Sequence, residues 1–148
     1  MGKKNKQILG VGDSLNTSII NDYLMIRGGE FGCDDCVNDV SKAIEGIDSG
    51  KYWGVLLNSL VVKLGDNAEQ HRVVAKQFEM WDHPPCLFRS GGLFVVQHAV
   101  EKGLATVVNP YSEGGGVLVE AEKLGAITFP RDADRSLELI FGAFRSCT

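Results

Sequence analysis

Short runs of β-favouring apolar residues alternate along this 148-residue chain with longer amphipathic stretches. That alternation is the sequence pattern of a parallel sheet covered by helices. The run Tyr52-Trp-Gly-Val-Leu-Leu-Asn58 is too continuously apolar for a sheet face in water, so it reads as a central strand buried on both sides. Further strands are expected at 7–12, 30–32, 86–89, 104–108 and 126–129. Helices are expected from Asp13 or Ser14 to 26, at 37–47, 66–81, 93–102 and 117–124, and from Asp132 or Asp134 to 145. Gly28-Gly29, Gly103 and Gly125 stand where helix C-caps belong. Asp82-His-Pro-Pro85 reads as a helix stop, because the residue before a proline avoids the α region. The expectation is one three-layered α/β domain over residues 1–148, with five or six mainly parallel strands.

Charge narrows the functional classes. Fifteen Lys and Arg against nineteen Asp and Glu give a net charge of −4, so there is no global positive field to gather nucleic acid. The apolar run after Met1 to Lys6 is too short for a signal peptide or a membrane span. No membrane association and a cytoplasmic location are therefore expected. Four cysteines are few for a secreted disulfide framework. Cys33-Asp-Asp-Cys36 has C-x-x-C spacing, yet no second ligand pair completes a zinc site, and two acidic neighbours raise thiol pKa values. The pair reads as structural or incidental. No metal and no cofactor are expected.

Ligands of open parallel sheets bind beyond the carboxyl ends of the strands, where loops and helix N-termini converge. The expected ends carry Asp13, Ser14, Asn58, Ser90, Gly91, Gly92 and Asn109, and the glycine cluster Gly114-Gly115-Gly116 precedes a helix. This set is polar and almost uncharged. The glycines lack the Lys-Ser/Thr of a P-loop. His71 and His98 fall within expected helices and His83 in a proline turn, positions that suit surface or packing roles.

Gln7-Ile-Leu-Gly-Val-Gly-Asp-Ser14 with its helix and glycine turn, and 42–58 as helix and strand ending in Asn58, resemble the receiver domains of two-component response regulators. Pro85-Cys-Leu-Phe-Arg-Ser-Gly91 and 99–112 are similar to the receiver's fourth and fifth strands. The resemblance covers about residues 6–124 and implies a flavodoxin-like fold, with 125–148 as an additional strand and helix. It implies Asn58 at the phosphoacceptor aspartate, Ser90 at the switch Ser/Thr, Asn109-Pro110 in place of Lys-Pro, and Gly12-Asp13 in place of the acidic pair that holds Mg²⁺. Asn58 has no carboxylate to attack phosphorus and Asn109 no ammonium to pair with a phosphoryl group. The implied protein is a degenerate, non-catalytic regulatory module that acts on a protein partner.

Residues 75–92 and 121–137 also resemble pieces of the ligase domain of succinyl-CoA and acyl-CoA synthetases. That resemblance implies a CoA-ligase-like subunit as the alternative, and the free N–H groups that Gly114-Gly115-Gly116 would offer ahead of a helix leave an anion- or nucleotide-binding enzyme component beside it. Leu137, Ile140, Phe141 and Phe144 recur at helical spacing. A homodimer built through this C-terminal unit is expected.

Overall fold

The computed structural model describes residues 6–12, 17–57, 87–108, 116–129 and 136–148. Within them the order is β1 (Lys6–Val11), α1 (Thr17–Ile26), β2 (Phe31–Val37), α2 (Val40–Asp48), β3 (Gly54–Leu57), α3 (Leu87–Glu101), β4 (Ala105–Val108), α4 (Gly116–Leu124) and α5 (Ser136–Ser146). Four parallel strands form one sheet in the order β2-β1-β3-β4. Ile127 extends it by a single parallel bridge to Val107, through the Ile127 N–H to Thr106 O at 2.9 Å and the Val108 N–H to Ile127 O at 2.9 Å. The fold is α/β and flavodoxin-like. A full sixth strand is absent among the described residues, and 126–129 contributes a bridge where a strand was expected.

Strand pleat sorts the core into two layers, since successive side chains point to opposite faces. Leu9, Val11, Val55, Leu57 and Val108 face one side, where α2, α3 and α4 bring Val40, Ala43, Ile47, Leu93, Val96, Ala99 and Ala121. Ile8, Leu56 and Val107 face the other, where α1 and α5 bring Ile20, Leu24, Ile140, Ala143 and Phe144. Every residue of β3 is buried, as its unbroken apolar run requires.

Local chemistry sets the helix ends. Asp39 caps α2, its carboxylate accepting from the Lys42 N–H at 2.7 Å, so the helix begins three residues later than its apolar spacing suggested. α1 closes through Gly28 and Gly29, both at positive φ, whose N–H groups donate to Met25 O and Leu24 O.

The structure corrects two expected strands. β2 extends through Cys33-Asp-Asp-Cys36, where the register against β1 shifts between Gln7 and Leu9; the bulge accommodates an extra residue of poor β-propensity. Leu87-Phe-Arg89, expected as a strand, opens α3, and Ser90, Gly91 and Gly92 lie inside that helix. A short apolar run cannot by periodicity be told from a buried helix segment, and prolines favour the start of a helix as readily as they stop one. Burial of Leu93, Val95, Val96 and Ala99 along α3 outweighs the helix cost of two glycines. The expected helix at 66–81 lies outside the described residues.

The C-terminal segment belongs to the sheet's second layer. Phe144 is fully buried among Phe31, Trp53 and the sheet, and Ile140 is 2% exposed. The apolar stripe of α5 therefore covers the core and does not present a free face. None of the described helices is long and apolar enough to cross a membrane.

Candidate functional site

Register brings the strand ends into one row. Val11 pairs with Val37 on one side and with Leu57 on the other, and Leu57 pairs with Val108. With parallel strands about 4.8 Å apart, the chain leaves this edge at neighbouring points after Val37, Val11, Leu57 and Val108. The residues that follow in sequence are Asn38, Gly12, Asn58 and Asn109. Of these, Gly12 is buried with φ of 128°, a value glycine alone adopts freely, and its N–H donates to Val37 O at 2.8 Å. The chain thus turns sharply at the end of β1, directly before Asp13.

Asp13, Ser14, Asn58, Asn109, Gly114 and Gly115 lie outside the described residues. Ser90, Gly91 and Gly92 are described as backbone of α3, so they do not end a strand and the edge does not gain a hydroxyl through Ser90. Because 87–89 is helical, β4 takes the place after β3 and Ile127 the place after β4. The residue pair beyond that last pairing is Phe129-Pro130, with Phe129 half-buried against the second core layer. Sequence reading missed this placement because the helical start of α3 resembled a strand.

Cys36 is the side chain at this edge that sequence reading did not select. Its thiol is exposed and lies 3.4 Å from Gly12 O, at the end of β1. Cys33 is buried; its N–H donates to Asn21 Oδ1 at 3.1 Å, and burial, then the charges of Cys36, Asp34 and Asp35, push its thiol up to about 12. Three residues apart on a strand, the two Cα atoms are separated by about 10 Å, beyond disulfide reach. Cys33 is a core group whose burial disfavours the nucleophilic thiolate at neutral pH.

Two polar clusters stand away from the edge. The Tyr52 hydroxyl donates to Asp35 Oδ2 at 2.6 Å and Lys51 Nζ donates to the same oxygen at 3.0 Å, which together hold the Asp35 carboxyl below its ordinary value. This pair ties β2 to the α2–β3 connection beside a groove of about 470 Å³ lined by Val37, Lys42, Glu45 and Tyr52. Across α2 and α3, His98 Nε2 lies 2.7 Å from Asp48 Oδ1, with Lys102 at 3.7 Å from the same oxygen. Hydrogen bonding from His98 is the first cause that lowers the Asp48 carboxyl. His98 is therefore a tie between helices. Among the described residues no group of three His, Cys, Asp or Glu side chains converges. The ligase-like stretches fall partly outside the described residues and partly on α3, α4 and α5.

No protein-family profile matches the chain, and no curated protein sequence does. Solved structures do. A two-component response regulator from Clostridium difficile superposes with a TM-score of 0.62 at 15% identity, over 97% of this chain and 95% of that one. A response regulator receiver protein from Pseudoalteromonas atlantica gives 0.61 at 12% identity, over 95% of each chain. The receiver domain of a sensor histidine kinase from Pseudomonas aeruginosa, with a magnesium ion coordinated in its active-site cleft, gives 0.52 at 15% over 97% and 98%. At such identities the likeness concerns the fold, and the chain has the flavodoxin-like fold of response-regulator receiver domains.

Proposed function

We propose that the chain is a receiver-like regulatory module that works through protein contacts and does not run an aspartyl-phosphate cycle. The carrying observation is the central place of β3, whose carboxyl end leads directly into Asn58. A receiver needs a carboxylate there to attack phosphorus, and an amide lacks the charged oxygen nucleophile. Beside it, the end of β1 leads through Gly12 into the single carboxylate of Asp13. Mg²⁺ dehydrates reluctantly and is held by carboxylates and phosphate oxygens together, so one carboxylate without a phosphoacceptor supports it poorly. The Lys-Pro of receivers has no counterpart after either candidate strand: Asn109-Pro110 follows β4 and Phe129-Pro130 follows the Ile127 bridge. Neither supplies an ammonium for a phosphoryl group.

Regulation by this chain would then rest on its surfaces. Incubation with acetyl phosphate and Mg²⁺, followed by intact-mass measurement, is expected to leave the protein unmodified. A stoichiometric, base-labile phosphoryl adduct mapped to Asp13 would reject the reading. Capture of CoA by the isolated chain, seen as a thermal shift, would favour the ligase-like alternative.

A further inference from the structure

We propose that the cavity beside the outer edge of β4 binds a small neutral molecule that carries an amide group. The cavity measures about 300 Å³ and lies toward the amino ends of β3 and β4, away from the row of strand ends described above. Its walls include Trp53, which precedes β3, Leu104, which precedes β4, Val100 on α3, Ile127 and the exposed Cys147. Among the described residues no Asp, Glu, Lys, Arg or His lines it, so a charged ligand would lose hydration without meeting an opposite charge. The volume stands at the small end of the range for ligand sites.

One buried residue supplies the polar chemistry. Thr106 is 3% exposed and lines the cavity. Along β4 the backbone alternates its bonding sides. Ala105 N–H donates to Trp53 O toward β3, whereas Val108 N–H donates to Ile127 O on the outer side, and alternation places Thr106 N–H on that outer side too. A ladder continued past Ile127 would meet it with the carbonyl of Gly125. Gly125 instead turns at φ of 114° to close α4, its N–H donating to Glu122 O, and pairing stops at the Ile127 bridge. Among the described residues no group accepts from Thr106 N–H. A buried backbone donor is rarely left orphaned, so this one marks a place for an acceptor. The Thr106 hydroxyl donates its proton to Leu104 O at 3.0 Å, which leaves the oxygen as an acceptor. A donor and an acceptor on one residue match the C=O and N–H of an amide, and Val100, Leu104 and Ile127 offer contact to an apolar body.

Amide hydrogen exchange of the full chain tests the site before any ligand is added: Thr106 N–H is expected to exchange at least about tenfold faster than the bonded N–H of Val108. Benzamide, acetophenone and benzoate then share one ring and differ in the polar group. In nitrogen–proton correlation spectra, benzamide at about 1–5 mM is expected to shift the Thr106 signal and slow its exchange. Acetophenone, which lacks the N–H, is expected to bind more weakly, and the charged benzoate more weakly still. Thr106→Val should bring benzamide down to the level of acetophenone. Cys147→Phe, at an exposed position on the cavity wall, should weaken both at least about tenfold while the melting temperature holds. Thr106 N–H as protected as that of Val108, no shift with benzamide, benzoate binding as well as benzamide, or benzamide indifferent to both variants would each overturn the proposal. Binding is read without a phosphoryl donor, so its failure is distinct from that of the acetyl phosphate experiment.

Discussion

Phe144→Ala probes whether α5 is an integral part of the fold. The ring is fully buried, 6.2 Å from the Phe31 ring and 6.0 Å from the Trp53 ring, centre to centre. It also fills the space above Gly54, where an added Cβ would stand 3.0 Å from Phe144 Cε1. A glycine has no side chain to collapse into the void, so the cavity left by truncation persists. Phe→Ala in a core costs about 3–5 kcal/mol, and a persistent cavity favours the upper half of that range. Against a domain stability of about 5–15 kcal/mol, and about 2–4 °C per kcal/mol at this size, the melting temperature should fall by roughly 8–20 °C. Urea unfolding followed by fluorescence measures the effect as a shift in midpoint with unchanged slope. A loss below about 1 kcal/mol, the scale of ordinary surface changes, would mean that α5 is not seated on the sheet, and the second core layer would be refuted.

Gly54→Ala places a Cβ 2.9 Å from the backbone oxygen of Ala105 and should cost about 1–3 kcal/mol by overpacking. Combined with Phe144→Leu it should cost less than the sum of the two, as unfolding curves of the double mutant will show. Asp35→Asn should flatten the acid limb of the stability curve. The native carboxyl is held low by Tyr52 and Lys51, so its contribution is full above the unfolded value of about 4 and is lost as pH falls through the lower native value. At this half-exposed site the difference should stay below about 1 kcal/mol, and an unchanged limb would count against the pairing. Thiol titration of native protein at pH 8 should leave Cys33 unmodified while Cys36 and Cys147 react, because burial pushes the Cys33 thiol up to about 12. The sign for stability is opposite to that of Asp35: the Cys33 contribution is full below the ordinary thiol value of about 8.5 and is lost as pH rises toward 12, which Cys33→Ala should abolish.

The alternation of apolar runs by itself determined the α/β class, the buried central strand at 54–57, the strand at 105–108 and the glycine ends of α1, α3 and α4. These depend on local chemistry: unbroken apolar runs, helical spacing and residues that tolerate positive φ. Asn58 as the residue beyond the central strand was legible for the same reason, since the apolar run ends at Leu57 and the polar pair Asn58-Ser59 follows it. Tertiary structure decided what local chemistry leaves degenerate. Leu87-Phe-Arg89 is apolar enough for a strand or a buried helix, and the packing of Leu93, Val96 and Ala99 against the sheet chose the helix. That choice removed Ser90 from the strand ends and brought Ile127 next to β4. It also made the last segment part of the core: α5 covers Phe31, Trp53 and Leu56, and an amphipathic pattern cannot reveal which surface its apolar stripe will meet. The exposed outer face of α1 was hidden for the same reason, because Ile19, Ile20 and Leu24 look alike in sequence and only the position of the sheet separates those it buries from those it leaves in water.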